Sequence, residues 1–160
     1  MKALAALAFL FLVAACQTAP PLEMTAADRA TIDAFLGEYQ ATALAGDWDA
    51  WTELWTADAV YMLPNVPPLV GRAAIRETLE AFPNPPNEMS VTLEGVDGSG
   101  KWAWVRGSFR FAMDASGDMP EMREVGSILW VLEKQSDGTW LLDSECYNSD
   151  IPLEMPPEGM

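Results

Sequence analysis

Not one of the 160 residues is histidine, and that decides which chemistry is open to the chain. Histidine-based triads, the imidazole proton shuttle that works near neutral pH and most zinc sites fall away together. Proton transfer would have to rest on carboxylates and tyrosines, with arginines as counter-charges. Glu145 and Tyr147 share one face of an apolar, strand-like run, and Arg106 and Arg110 share a face of another. A glutamate drawn out of water has its pKa raised and becomes a candidate acid or base. An arginine opposite it can instead neutralise it as a structural pair. Glu145 therefore carries two readings, catalytic or merely structural, while Arg106 and Arg110 suit an ion pair at a pocket rim or a subunit face. Neither a metal nor a cofactor is expected.

Seven tryptophans supply the apolar surroundings such a group needs. Trp48, Trp51 and Trp55 recur at helical spacing and suit packing of a helix on a sheet. Trp102, Trp104 and Trp130 can wall a pocket for a flat apolar ligand, since ligand sites are mostly apolar with a few convergent polar groups.

The elements that must position these residues follow from the pattern. Thr25 and Asp28 form a capping signal for a helix whose buried stripe is Ile32, Phe35, Leu36, Tyr39 and Ala43. Gly46 suits its left-handed end, and Asp47 caps a second, short helix carrying the tryptophan stripe. Ala59 to Leu63 reads as a strand stopped by Pro64, and Asn65 to Pro68 as a loop. Gly71 opens a third helix with Ile75, Leu79 and Phe82 on one side. Everything after the Pro-Asn-Pro-Pro run ending at Pro86 is strand-like. Met89, Val91 and Leu93 alternate with polar residues, Trp102 to Met113 is the longest strand, and Val125 to Lys134 pairs with Thr139 to Asn148 in a hairpin. Trp102 to Met113 is bulky on both faces, one bearing Trp102, Trp104, Arg106 and Arg110, the other Val105, Phe109 and Phe111. Helices can cover only one of these, so the other is expected to meet a second copy of the chain.

The ends are of a different kind. Residues 1–15 join a basic Lys2 to an apolar run, the pattern of a cleaved signal peptide and too short to span a membrane. Val13-Ala14-Ala15-Cys16 resembles a bacterial lipobox, which implies lipidation of Cys16, a lipidated tether over residues 16–24, and a cell-envelope location. By resemblance to lipoprotein sorting, Gln17 favours the periplasmic face of the outer membrane where the cell has two. Loss of Lys2 with the leader takes the net charge from −15 to −16. Affinity for nucleic acid comes from Lys and Arg on phosphates, so nucleic acid is excluded as a partner, and membrane contact is expected only through the anchor. Cys146 has no partner other than Cys16 and is expected to be a small buried hydrophobe.

The run Gly46-Asp-Trp through Asp58-Ala59, Pro64 and Gly71-Arg-Ala-Ala-Ile75 resembles the nuclear transport factor 2-like superfamily, in particular its SnoaL-like group with the ketosteroid isomerases. The run Asp137-Gly-Thr-Trp through Asp150 resembles the last strand of that group, and Ala103 to Gly107 a middle strand. The similarity covers residues 25–152, with a tail over 153–160. It implies an α+β fold, three N-terminal helices packed on a strongly curved, mostly antiparallel sheet, forming a cone-shaped barrel. Ketosteroid isomerases carry an oxyanion-binding tyrosine at the position of Tyr39, seven residues before Gly46. Their general base is an aspartate where this chain has Leu63, and leucine carries no proton. Steroid-type enolisation is therefore disfavoured, and Tyr39 can equally be a core residue of the first helix.

The expected pocket residues are Trp55, Tyr61, Leu63, Trp104, Arg106, Trp130 and Tyr147, with Tyr39 and Glu145 as the catalytic candidates. The leading functional expectation is a lipid-anchored domain that holds a small, mostly apolar molecule in its cone. An isomerase, cyclase or dehydratase built on Tyr39 and Glu145 and a purely structural dimeric module stand beside it, because one fold hosts all three.

Overall fold

The computed structural model describes residues 23–82 and 84–152. The expected signal peptide, Cys16, most of the expected tether and the expected tail lie outside the described residues. Thr25 caps helix α1 (Ala26–Ala45): its Oγ1 accepts from the Asp28 amide at 3.1 Å, and its own amide donates to Asp28 Oδ2 at 3.0 Å. Asp28 also pairs with Lys134, fastening the helix start to the sheet. Gly46, at φ 67°, ends the helix in the left-handed conformation that glycine adopts without cost. Asp47 then caps helix α2 (Trp48–Glu53) through a 3.0 Å bond from the Ala50 amide.

Here the first difference from expectation appears. Helix α2 ends at Glu53, and Trp55 opens strand β1 (Trp55–Met62) instead of closing a helical stripe. The Trp51 and Trp55 rings still meet, with centroids 5.0 Å apart, because helix and strand bring them to one side. After the proline loop come a short strand β2 (Leu69–Val70) and helix α3 (Arg72–Glu80). Four long strands follow: β3 (Glu88–Ser99), β4 (Trp102–Met113), β5 (Met122–Lys134) and β6 (Trp140–Ser149).

They form one mixed sheet of order β2-β1-β6-β5-β4-β3, in which β1 and β6 run parallel and the other neighbours antiparallel. The expected α+β architecture is present, three helices on a curved sheet that does not close into a full barrel. Glycine helps it curve. A Cβ at Gly107 would strike the Thr92 carbonyl, and one at Gly126 the Asn148 carbonyl, so the strands approach more closely than any larger residue allows. The core lies between α1 and the sheet's inner face, with Ile32, Phe35 and Tyr39 against Val105, Trp130, Leu132 and Leu142.

One irregularity governs the site. On β6 the register with β5 slips between Val131 opposite Ser144 and Leu132 opposite Leu142, leaving Asp143 as an extra residue. Side chains alternate along a strand, so one extra residue reverses which set faces inward. Trp140 and Leu142 are buried before the bulge; Glu145 is buried after it. Cys146, expected inside, is exposed for the same reason.

Candidate functional site

The sheet's concave face and the helices enclose a cavity of about 160 Å³. Its deep wall carries the polar groups. Tyr39 reaches it from α1, and its hydroxyl donates to Glu145 Oε2 at 3.0 Å, with Oε1 at 3.4 Å. Both side chains are almost entirely shielded from bulk water, at 1% and 3% exposure, yet both line the cavity. Tyr61 from β1 and Tyr147 from β6 stand beside them, ring centroids 6.2 Å apart, and Phe109 of β4 packs edge-on against Tyr147 at 5.1 Å. Apart from Thr78 and Glu124, the remaining wall is hydrocarbon and aromatic surface, including Trp48, Trp51, Leu79 and Phe111. Glu124 lies six residues along β5 from Trp130, the residue paired with Glu145, and accepts from Ser149 Oγ at 2.6 Å.

Burial controls the electrostatics. It raises the Glu145 carboxyl to about 7, although the hydrogen bond from Tyr39 opposes the rise. The Trp130 indole N–H opposes it too, from a position that closes no well-formed hydrogen bond among the described residues. A carboxyl of that acidity gives or takes a proton near neutral pH with little driving force wasted. Burial, and then the neighbouring Glu145 charge, pushes Tyr147 up to about 12 and holds Tyr39 well above the usual phenol range. The tyrosines therefore stay protonated at neutral pH, where the Glu145 carboxyl changes charge.

Tyr39, Glu145, Tyr61, Leu63 and Tyr147 are thus brought together around one cavity. Four other expected wall residues are elsewhere. Trp55 and Trp130 are fully buried behind the cavity, sealed off by Tyr39 and Trp51, whose rings lie 4.9 Å from Trp130 and 5.0 Å from Trp55 respectively. Trp104 and Arg106 stand on the sheet's outer face, because alternation in β4 turns Ala103, Val105 and Gly107 inward. The Arg106 guanidinium lies across Gly95 instead of opposite Glu145. Glu124 was missed, although it is in phase with Ile128 and Trp130 on a strand that starts at Met122, earlier than the expected Val125. Leu63 contributes hydrocarbon to the lining, and Glu145 and Glu124 are the carboxyls of this wall. Among the described residues no three metal-ligating side chains converge.

A small α+β cone with an apolar cavity and a few polar groups at its deep end defines a class of domain with many solved examples. The sequence profile of the SnoaL-like domain matches residues 24–140, and the chain belongs to that family. Curated proteins yield no match. Among solved structures, a ketosteroid isomerase-like protein from Erwinia carotovora atroseptica is similar at 22% identity and a TM-score of 0.69, covering 80% of this chain and 100% of that one. A protein from Catenulispora acidiphila, solved in complex with S-DNPA, is similar at 19% identity and 0.65, covering 79% and 96%. An NTF2-like protein with a cystatin-like fold from Novosphingobium aromaticivorans is similar at 22% identity and 0.58, covering 78% and 82%. At these identities the likeness carries the fold.

Proposed function

We propose that the chain is a cell-envelope domain that binds a small, mostly apolar molecule in its cone. The observation that carries this is the cavity itself: hydrocarbon and aromatic walls converge on the Tyr39, Tyr61, Tyr147 and Glu145 group at one end. The Catenulispora acidiphila protein of similar fold was solved in complex with S-DNPA, which is in keeping with this reading. Native mass spectrometry of the mature domain, purified from a lysate of its own host, tests the proposal. A small-molecule adduct is expected; a protein that stays free of adduct after incubation with an apolar metabolite extract would contradict it.

A second reading is favoured by the Tyr39 to Glu145 hydrogen bond at 3.0 Å. In it Glu145 moves a proton on the bound molecule, as in an isomerase, cyclase or dehydratase, while the Tyr39 hydroxyl holds the carboxyl in place. With the bound molecule identified, the parent protein should turn it over and Glu145→Gln should not. Loss of binding without any turnover in the parent protein returns the account to binding alone.

Anchoring through lipid on Cys16, with Gln17 directing the chain to the outer membrane of a two-membraned cell, is part of the same proposal. Incorporation of an alkyne-labelled fatty acid, abolished in Cys16→Ala, is the expected result.

A further inference from the structure

The wall chemistry narrows the ligand, on the premise that the cone is a binding site. All the described lysines and arginines lie away from the cavity lining. Arg72, Arg76 and Lys134 are held by Glu53, Asp49 and Asp28, and Arg106 and Arg110 project from the outer face. The charged side chains that do line the cavity are Glu145 and Glu124. Glu145 is the informative one. A carboxylate offers about four acceptor positions, and among the described residues Tyr39 is its only hydrogen-bond partner. At 3% exposure the carboxyl is shielded from bulk water, and it borders a cavity lined by aromatic rings with no cationic side chain in its wall among the described residues.

We infer that the ligand is a small hydrophobic amine, bound as its ammonium ion with the nitrogen at Glu145 and the Tyr61 and Tyr147 rings beside it. An ammonium group supplies donors only, and an ionised carboxylate only accepts. Ring faces attract a cation by about 0.5 to 2 kcal/mol, more as water is excluded. A ligand carboxylate or phosphate would be buried next to like charge with no cation to answer it. An overall charge of −15 raises the local concentration of cations in the same sense. The volume of about 160 Å³ matches a substituted single ring, an engineered cavity of about 150 Å³ being known to hold benzene.

Binding an ammonium ion requires Glu145 in its charged form, so a proton leaves Glu145 for solvent as the amine enters. The other groups facing it, Tyr39 from α1, Tyr61 from β1 and Tyr147 from β6, remain neutral, and Glu124 on β5 adds only further negative charge. Amine affinity should rise with pH as Glu145 ionises around 7.

Calorimetric titration of the intact chain with 2-phenylethylamine, 2-phenylethanol and phenylacetate tests this. The amine should bind at least about tenfold more tightly than the alcohol, phenylacetate should not bind, and amine affinity should increase from about pH 6 to about pH 8. In Glu145→Gln the ratio of amine to alcohol affinity should fall toward one. Should that variant not fold, the pH dependence of the parent protein decides alone. Alcohol binding as well as or better than amine, binding of phenylacetate, or a pH-independent amine affinity would overturn the inference and leave the binding site standing. No binding by any of the three would also overturn the inference, while the adduct sought by native mass spectrometry decides separately whether the cone binds another molecule.

Discussion

Glu145 is the most buried carboxyl of the cavity wall, and its acidity makes a stability prediction with a definite sign. Its carboxyl is raised from 4.5 to about 7 by burial. The folded protein therefore holds this proton over a range where the unfolded chain has released it. Stability is full below about pH 4.5 and is lost as pH rises through about 7, by about 3 kcal/mol for this group. Denaturant unfolding between those limits should show the decline, and Glu145→Gln should flatten it. Tyr39 and Glu145 were both legible in the sequence as candidates, one through the family resemblance and one through its apolar strand. That they touch was not, since no local pattern reports a contact between residues 106 positions apart. Trp104 and Arg106 were misplaced because alternation tells which residues share a face and never which face the helices cover.

At the scale of the element, the Asp143 bulge and the inner-face glycines shape the cone. Without that extra residue, the alternation that buries Trp140 and Leu142 would carry Cys146 inward and Glu145 out to solvent. Close approach at Gly126 lets β5 and β6 bend around the cavity, so Gly126→Ala must push on the Asn148 backbone and the Phe109 ring. It should cost about 2 kcal/mol, read as a lowered thermal midpoint. Loss of the α1 cap in Thr25→Ala should cost less, about 1 kcal/mol, by the same measurement. Strand β4 runs over the expected Trp102 to Met113, and Gly46 and Gly71 flank the helices where expected, but β1 starts at Trp55, four residues before the expected Ala59, and β5 at Met122, three before the expected Val125. Strand β2, two residues long, leaves no periodicity to read, and Trp55 was counted as helical because i+7 spacing continues past a helix that has already ended. The bulge has no signature at all in Leu142-Asp143-Ser144.

For the whole molecule, the division of faces is what matters. The helices cover one side of the sheet and leave Trp102, Trp104 and Leu129 exposed on the other, at 38%, 48% and 51%. An exposed apolar patch of this kind marks an interaction surface, and we propose that a second copy packs there about a two-fold axis. Sedimentation velocity should give twice the chain mass, and Trp104→Asp should give the monomer with the cavity intact. The cavity on the opposite side depends on how completely the fold excludes water from the Tyr39 and Glu145 pair, and this is measured directly by a carbon-detected NMR titration of the Glu145 carboxyl. A midpoint near 7 is expected, rising further in Tyr39→Phe because the hydrogen bond that favours the charged form is gone. A midpoint at the ordinary value of 4.5, unmoved by that substitution, would show an open and solvated carboxyl and contradict the account of the site.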